Sequence, residues 1–460
     1  MAQVVFEKRR YLMGNTLTKP VTTKETICGK ISTSEIASDT SCRRVGGRTY
    51  SASRSRNQEN RSQVEKEPPA LFGLSSCQGW RINQEDTFLY SSALSSQERE
   101  RVHNGHNNVE HVSGGGNSNE SAEYLLGHAL FGIFDGHGGF FAANFCSEKF
   151  HDLLCKEECF VEYCKIYRRS FAVDNEGNSH LKSNGGKRKK KSQKQQVRSA
   201  KAGIAADTNE QLKDLLENSL RNTFLEMDRE LLIKMKDLQD YCKTDVNQST
   251  LTGTDPDEQD QGFDLFDSGT AAIVIIITPT FIVCANAGDC RAILSNTINA
   301  QGNSYNDIVP LSFDHKPSDP EEESRIRCAG GCVDRGLVDG ELALSRALGD
   351  FTFKSQDSVL TYDQEHMHPG VDNNSFLAPG EQKVSPLPDI ITLKHSSLLN
   401  FLVVASDGIW DVITSDECAE LVADIFQEGE SNLDLVAEEV SPSVVAIIFI
   451  VTHRSRLMNI

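Results

Sequence analysis

Two apolar segments of this chain each run into an aspartate: Phe131-Gly-Ile-Phe-Asp135-Gly-His137-Gly-Gly139 and Phe401-Leu-Val-Val-Ala-Ser-Asp407-Gly-Ile-Trp-Asp411. Short apolar runs bounded by glycine read as strands covered on both faces. An aspartate at the end of such a strand is held where the sheet opens to solvent. The glycines that follow let backbone and ligand approach closely. Glu85-Asp86 adds acidic groups from a third, distant part of the chain. Hard oxygen ligands gathered in this way suit Mg²⁺ or Mn²⁺ rather than zinc, and they point to metal-assisted hydrolysis.

The remaining composition narrows the class. The chain has 460 residues, 38% of them hydrophobic, enough for a substantial core. Its formal charge of −19 disfavours nucleic acid as a partner, because phosphate backbones need a basic surface. The 13 cysteines form no CxxC pair. Cys155, Cys159 and Cys164 cluster, as do Cys328 and Cys332, without zinc spacing, which fits reduced thiols in a reducing compartment. Met1–Arg10 carries charge but no apolar core follows it, so no secretory signal is expected. The longest apolar run, Val444–Val451, is too short to span a bilayer. The expectation is a monomeric intracellular protein, cytoplasmic, nuclear or both.

Residues 1–70 read as a disordered N-terminal segment, since Ser, Thr, Arg, Lys and Glu dominate 14–68. Within it, Met13-Gly14-Asn-Thr-Leu-Thr18 matches the N-myristoylation pattern. Membrane association would follow only from a translation start at Met13; otherwise the match is coincidence. Residues 71–460 are expected to form one domain with polar insertions near 91–121, 170–205, 243–262 and 355–383. The second insertion carries Lys187-Arg-Lys-Lys-Lys191, either a nuclear-localisation patch or a solvated basic loop. Phe140–Leu154 and Asp416–Phe426 read as helices. Asn209–Lys236 carries Leu212, Leu216, Leu220, Phe224 and Leu231 at helical spacing. Thr270–Ile277 and Phe281–Ala285 read as strands about Pro279, with Arg291–Leu294 continuing the sheet. Runs of strands with a few long helices imply an α+β fold.

The acidic motifs have more than one reading each. Asp135 is placed to bridge two cations, with His137 as a proton donor near neutral pH. A plain Asp-Gly turn with a surface histidine also explains them. Asp407 and Asp411 are metal-site acids or the cap and first-turn acids of a helix. In a strand Glu85 and Asp86 would point to opposite faces, so only one would reach a metal. Arg81 either clasps a phosphate through its planar fork or is a surface cation. For Gly288-Asp289 a hairpin turn serves as well as a site, and Asp350 is equally ambiguous.

The order of motifs is more specific than any one of them. Arg81-Ile-Asn-Gln-Glu85-Asp86, Phe131–Gly139, Ser268-Gly-Thr-Ala-Ala272, Ala285-Asn-Ala-Gly-Asp289-Cys-Arg291 and Asp314-His-Lys-Pro317 follow one another. Arg325-Ile with Ala329-Gly-Gly, Leu342-Ala-Leu-Ser-Arg-Ala-Leu-Gly-Asp350 and Ser406–Asp411 then complete the series. From about Leu71 to Val440 this resembles the metal-dependent type 2C serine/threonine protein phosphatases, the PPM family. The resemblance implies a four-layer α-β-β-α sandwich of two antiparallel sheets flanked by helices. It implies two Mg²⁺ or Mn²⁺ ions joined by a water, and phosphoserine or phosphothreonine proteins as substrates.

By motif match, Asp135 would bridge both ions and Gly136 would offer its carbonyl. Glu85 would bind one ion and Asp407 the other. Arg81 would hold the substrate phosphate and His137 would be the general acid. Asp86 and Asp411 would stand behind the ions or on their waters, and Asp267 would serve a weaker third ion. The family closes its site with a Gly-Ser-x-Asp-Asn-like segment before a last strand. Here no aspartate follows Asp434, and Glu438 and Glu439 are the acids available. A missing carboxylate implies weak metal binding and activity that needs high metal, or a weak relative that binds phosphoproteins.

Overall fold

Alternation along the central strands sorts the apolar residues into three layers, because successive side chains of a strand point to opposite faces. The computed structural model describes residues 16–31, 70–81, 84–92, 94–96, 124–125, 127–179, 191–249, 265–300, 303–360, 377–395, 399–441 and 446–453. Strands β1 (Thr16–Ile31), β2 (Ala70–Arg81), β3 (Thr87–Ser91) and β4 (Ala129–His137) come first. Helices α1 (Phe141–Lys156), α2 (Glu158–Ser179) and α3 (Lys191–Ser249) follow. Next are β5 (Gly269–Ile277), β6 (Phe281–Ala287), β7 (Arg291–Ala300), β8 (Asn303–Pro310) and helix α4 (Pro320–Cys328). Short strands β9 (Val333–Asp334), β10 (Leu337–Val338) and β11 (Leu348–Gly349) lead to the helical turn α5 (Gln356–Val359). The chain continues through β12 (Asp389–Lys394), β13 (Leu399–Ala405), α6 (Asp407–Trp410), α7 (Ser415–Gln427), α8 (Leu433–Val440) and β14 (Ala446–His453).

One sheet has the order β1-β2-β14-β13-β7-β8, and the other β12-β6-β5-β4-β3, with β11 added alongside β5. Their strand pairings are antiparallel. Phe131 and Ile133 of β4, Ile273 and Ile275 of β5, Leu402 and Val404 of β13 and Phe449 of β14 fill the space between the sheets. The opposite faces of β4 and β5 give Leu130, Phe134, Val274 and Ile276 to a second layer with Phe150 of α1 and Phe224 of α3. Phe401 and Val403 of β13 and Ile448 of β14 pack against Val422 and Phe426 of α7 and Val436 of α8. The architecture is therefore the expected α+β sandwich, two antiparallel sheets with helices on both outer faces.

Several expectations change. Residues 16–31, expected within a disordered segment, form β1, which runs antiparallel to β2 from Thr16 opposite Arg81 to Ile31 opposite Ala70. Much of the 170–205 insertion is helical, since α2 continues to Ser179 and α3 begins at Lys191. Glu85 and Asp86 lie in the turn before β3, not in a strand. Met13–Asn15 of the myristoylation pattern, residues 187–190 of the basic run, and most of the other insertions (97–123, 250–264 and 361–376) lie outside the described residues. Cys284 and Cys290 are buried free thiols. Among the described residues, no helix is long and apolar enough to cross a membrane.

Candidate metal centre

The acidic groups converge where the two sheets meet. Asp135 lies near the end of β4 in one sheet, and Asp407 opens α6 directly after β13 in the other. Asp289 lies in the turn by which the chain leaves β6 and crosses to β7. That turn needs glycine at position 288, where φ is +128° and a Cβ would meet the side chain of Ala271. One carboxylate oxygen from each of Asp135, Asp289 and Asp407 falls within 4.8 Å of the others. The backbone N–H of Asp407 donates to Asp135 Oδ2 over 3.4 Å, which ties the two strand ends together.

Asp135 is only 8% exposed. Burial pushes its carboxyl well above the usual range, and the charges of Asp86 and Asp289 push it further. Asp86 is itself buried and shares a side-chain hydrogen bond with Asp135. Asp407 is likewise raised, by burial and then by Asp135, Asp289 and Asp411. Carboxylates crowded out of water repel one another, and a cation between them relieves both penalties. The ammonium of Lys316 supplies part of that charge from the rim, donating to Asp289 Oδ2 over 2.6 Å.

His137 ends β4 opposite Gly269 of β5. Its Nε2 lies 2.7 and 2.9 Å from the two carboxylate oxygens of Asp350. Burial alone would lower the imidazole, but the Asp350 carboxylate outweighs it and leaves His137 more basic than usual. Gly138, at φ +61°, packs on the carbonyl of Asp267.

The other candidate residues divide. Gly136 has no room for a Cβ, which would overlap the backbone carbonyl of Glu85, so Glu85 adjoins Asp135 through its main chain. The Glu85 carboxylate is not a member of the three-carboxylate group, and neither are those of Asp267, Asp411, Glu438 and Glu439. Asp267 and Asp411 are exposed. Arg81 closes β2, and its side chain lies outside the described residues.

Asp289 is the acid that the sequence left open between a hairpin turn and a site. Its signal was present: like Asp135 and Asp407 it follows a fully buried strand, Phe281–Ala287. Other motif residues prove to be braces. Arg291 grips Asp314 with two hydrogen bonds of 3.0 and 2.8 Å, donates to Ser415, and lies 5.3 Å from the Trp410 ring centre. Glu322 joins Arg325, Arg346 and the Ser345 hydroxyl.

The family model described as protein phosphatase 2C matches residues 169–446, a span that includes Asp289, Asp350 and Asp407. Protein phosphatase 2C homolog 2 of Aspergillus fumigatus is 29% identical over 352 residues, covering 76% of this chain and 54% of that protein. Its namesake in Saccharomyces cerevisiae is 29% identical over 365 residues, covering 78% and 51%. The chain thus spans about half the length of these curated relatives. A probable protein phosphatase 2C of Caenorhabditis elegans is 40% identical over 171 residues, 37% of this chain and 41% of that one. A crystal structure of serine-threonine phosphatase 2C from Toxoplasma gondii is 16% identical, with a TM-score of 0.49, over 84% of this chain and 95% of that one.

Proposed function

This chain belongs to the protein phosphatase 2C family, and on that premise we propose that it hydrolyses phosphoserine and phosphothreonine in proteins with the aid of Mg²⁺ or Mn²⁺. The observation that carries the reading is the group Asp135, Asp289 and Asp407, with oxygens within 4.8 Å of one another. Its donors are hard carboxylate oxygens, which fit these cations and not zinc. Asp289 is proposed as the third carboxylate of this group, beside Asp135 and Asp407. Glu85 and the Gly136 carbonyl are proposed for a second ion beside the first, and Asp267 for a weaker third. Divalent cations held there would supply an activated water and neutralise the phosphoryl group.

The chain's own residues do the rest. Asp135 and Asp407 fix the charge pattern at the junction of the sheets. Arg81 is proposed to take the phosphate oxygens through its planar fork. His137, held on one side by Asp350, delivers a proton to the departing seryl or threonyl oxygen. Asp86 and Asp411 keep the surroundings negative, which favours cation over anion when no phosphate is bound.

The test is phosphate release from phosphoserine and phosphothreonine peptides as Mn²⁺ is titrated against chelator, with Mn²⁺ binding measured separately by calorimetry. Asp135→Asn is expected to abolish both turnover and tight Mn²⁺ binding while leaving the fold intact. Undiminished Mn²⁺ binding in that variant would overturn the metal assignment. Metal-dependent capture of phosphopeptides without any turnover would replace the enzyme by a phosphoprotein-binding relative.

A further inference from the structure

We propose that Asp350 is the positioning residue that decides which nitrogen of His137 meets the leaving group, with a buried ion pair between Lys354 and Asp228 of helix α3 holding Asp350 in place. The inference rests on the reading of His137 as the proton donor. A carboxylate only accepts hydrogen bonds, so the contacts of 2.7 and 2.9 Å require Nε2 to carry its hydrogen toward Asp350. Nδ1 is then the nitrogen free to face a seryl or threonyl oxygen.

The contact is built into the fold. Asp350 is 1% exposed and adopts φ +51°, a left-handed conformation that glycine, asparagine and aspartate enter more readily than other residues. Gly269 makes the room, since a Cβ there would run into the Asp350 carboxylate. On one side the Asp350 N–H donates to the Ser268 carbonyl over 3.2 Å. On the other, the N–H of Gly349 donates to Asp228 of α3 over 2.9 Å. Asp228 also accepts from Lys354 over 2.8 Å, and neither side chain of that pair has exposed surface. Lys354 spends a second hydrogen bond on the Ala347 carbonyl at 2.9 Å. Residues 347–354 are thereby pinned to α3 on both flanks of Asp350.

The step balances. The oxygen of water bonds to phosphorus while the ester P–O bond breaks, and the electron pair of that bond goes to the side-chain oxygen. This oxygen takes the Nδ1 proton of the imidazolium, and the other hydrogen stays on Nε2, donated in a hydrogen bond to Asp350. The proton released by the attacking water restores the ring through solvent. Inorganic phosphate and a free hydroxyl result.

Three single variants, one double variant and one spectrum test the inference. Asp350→Gly removes the carboxylate and tolerates the backbone conformation; Asp350→Asn keeps one acceptor oxygen; His137→Ala removes the donor. A positioned general acid is worth on the order of 10²-fold or more with a poor leaving group. Asp350→Gly is therefore expected to lose at least about tenfold on a phosphoserine peptide and much less on an aryl phosphate, whose oxygen needs little protonation. Asp350→Asn should recover part of the loss, and Asp350→Gly in the His137→Ala background should cost nothing more. Equal losses on both substrates, or additive losses in the double variant, would overturn it. Equal losses by His137→Ala on both substrates would remove the proton-donor reading itself and this inference with it. A leaving-group-dependent His137→Ala beside an indifferent Asp350→Gly removes this inference alone. Independently of any variant's folding, ¹⁵N NMR of the Mg²⁺-loaded wild type should show the neutral ring protonated at Nε2. A ring protonated at Nδ1 would refute the assignment.

Discussion

Lys354→Met isolates the energetic consequence of the buried pair. Neither Lys354 nor Asp228 has exposed side-chain surface. Methionine fills much the same volume as the lysine stem, so the packing against the Phe351 ring, 5.4 Å from the ammonium, is largely kept. What is lost is, among the described residues, the one cation bonded to a carboxylate that retains one hydrogen bond, from Gly349 at 2.9 Å. Its second oxygen, Oδ2, already lacks a hydrogen-bond partner among the described residues. Removing one member of such a pair costs about 3–5 kcal/mol, whereas removing both charges is close to neutral. Asp228→Asn/Lys354→Met, which leaves an amide oxygen for Gly349, should therefore recover most of the loss.

Urea unfolding followed by tryptophan fluorescence gives the comparison, read as a midpoint shift at constant slope. The single variant should also lose less as pH falls. Burial raises the Asp228 carboxyl even with Lys354 present, and without the ammonium the native state holds that proton more tightly still. A carboxyl whose folded pKa is raised weakens the native state when ionised, so the variant's deficit should shrink as pH falls and the group takes up its proton. A single-variant loss under about 1 kcal/mol, or a double variant no better than the single, would refute the reasoning.

Other expectations can be checked as directly. Asp289→Asn should weaken Mn²⁺ binding by about tenfold or more in calorimetry, because carboxylate count tunes divalent affinity; unchanged affinity would show that Asp289 is not a ligand. Gly136→Ala drives a methyl into the Glu85 carbonyl, so thermal stability and Mn²⁺ affinity should both fall, and a variant equal to wild type in both would mean that the loop yields freely. Burial would raise Glu322, but the guanidinium groups of Arg346 and Arg325 prevail and bring it from 4.5 down to about 2. Its contribution is therefore fully present above pH 4.5 and lost as pH falls through about 2. Acid unfolding of Glu322→Gln should show a shallower decline over that window than wild type, and parallel curves would count against the assignment.

The parts legible in the sequence were those set by local periodicity. The short apolar runs in Phe131–Asp135, Thr270–Ile277 and Phe401–Ala405 mark strands covered on both faces, and the leucine spacing from Leu212 onward marks the core of α3. What stayed hidden depends on partners far along the chain. Thr16–Ile31 is polar and becomes a strand by backbone pairing with β2, which composition does not register. Lys191–Ala205 read as a loop because it is polar, yet its Lys, Gln, Arg and Ala residues favour the helix it forms. Gly288-Asp289 looks like any hairpin turn until β6 and β7 are seen to belong to different sheets. Asp350 gains meaning only through His137, which lies on another strand.

The position of β14 governs how the molecule can be made. It lies between β2 and β13, pairing Val451 with Phe72 on one side and Leu402 on the other. Until Ala446–His453 has left the ribosome, this sheet exists as two halves, each with an open edge and an uncovered apolar face. Contacts of such sequence separation form slowly, and a nascent chain that waits for them is exposed to mispairing. Asp135 and Asp407 approach each other only when both sheets are packed, so the metal centre is among the last features to form. Any cation that the three carboxylates take up is then bound after synthesis, and partly made chains carry no assembled carboxylate group.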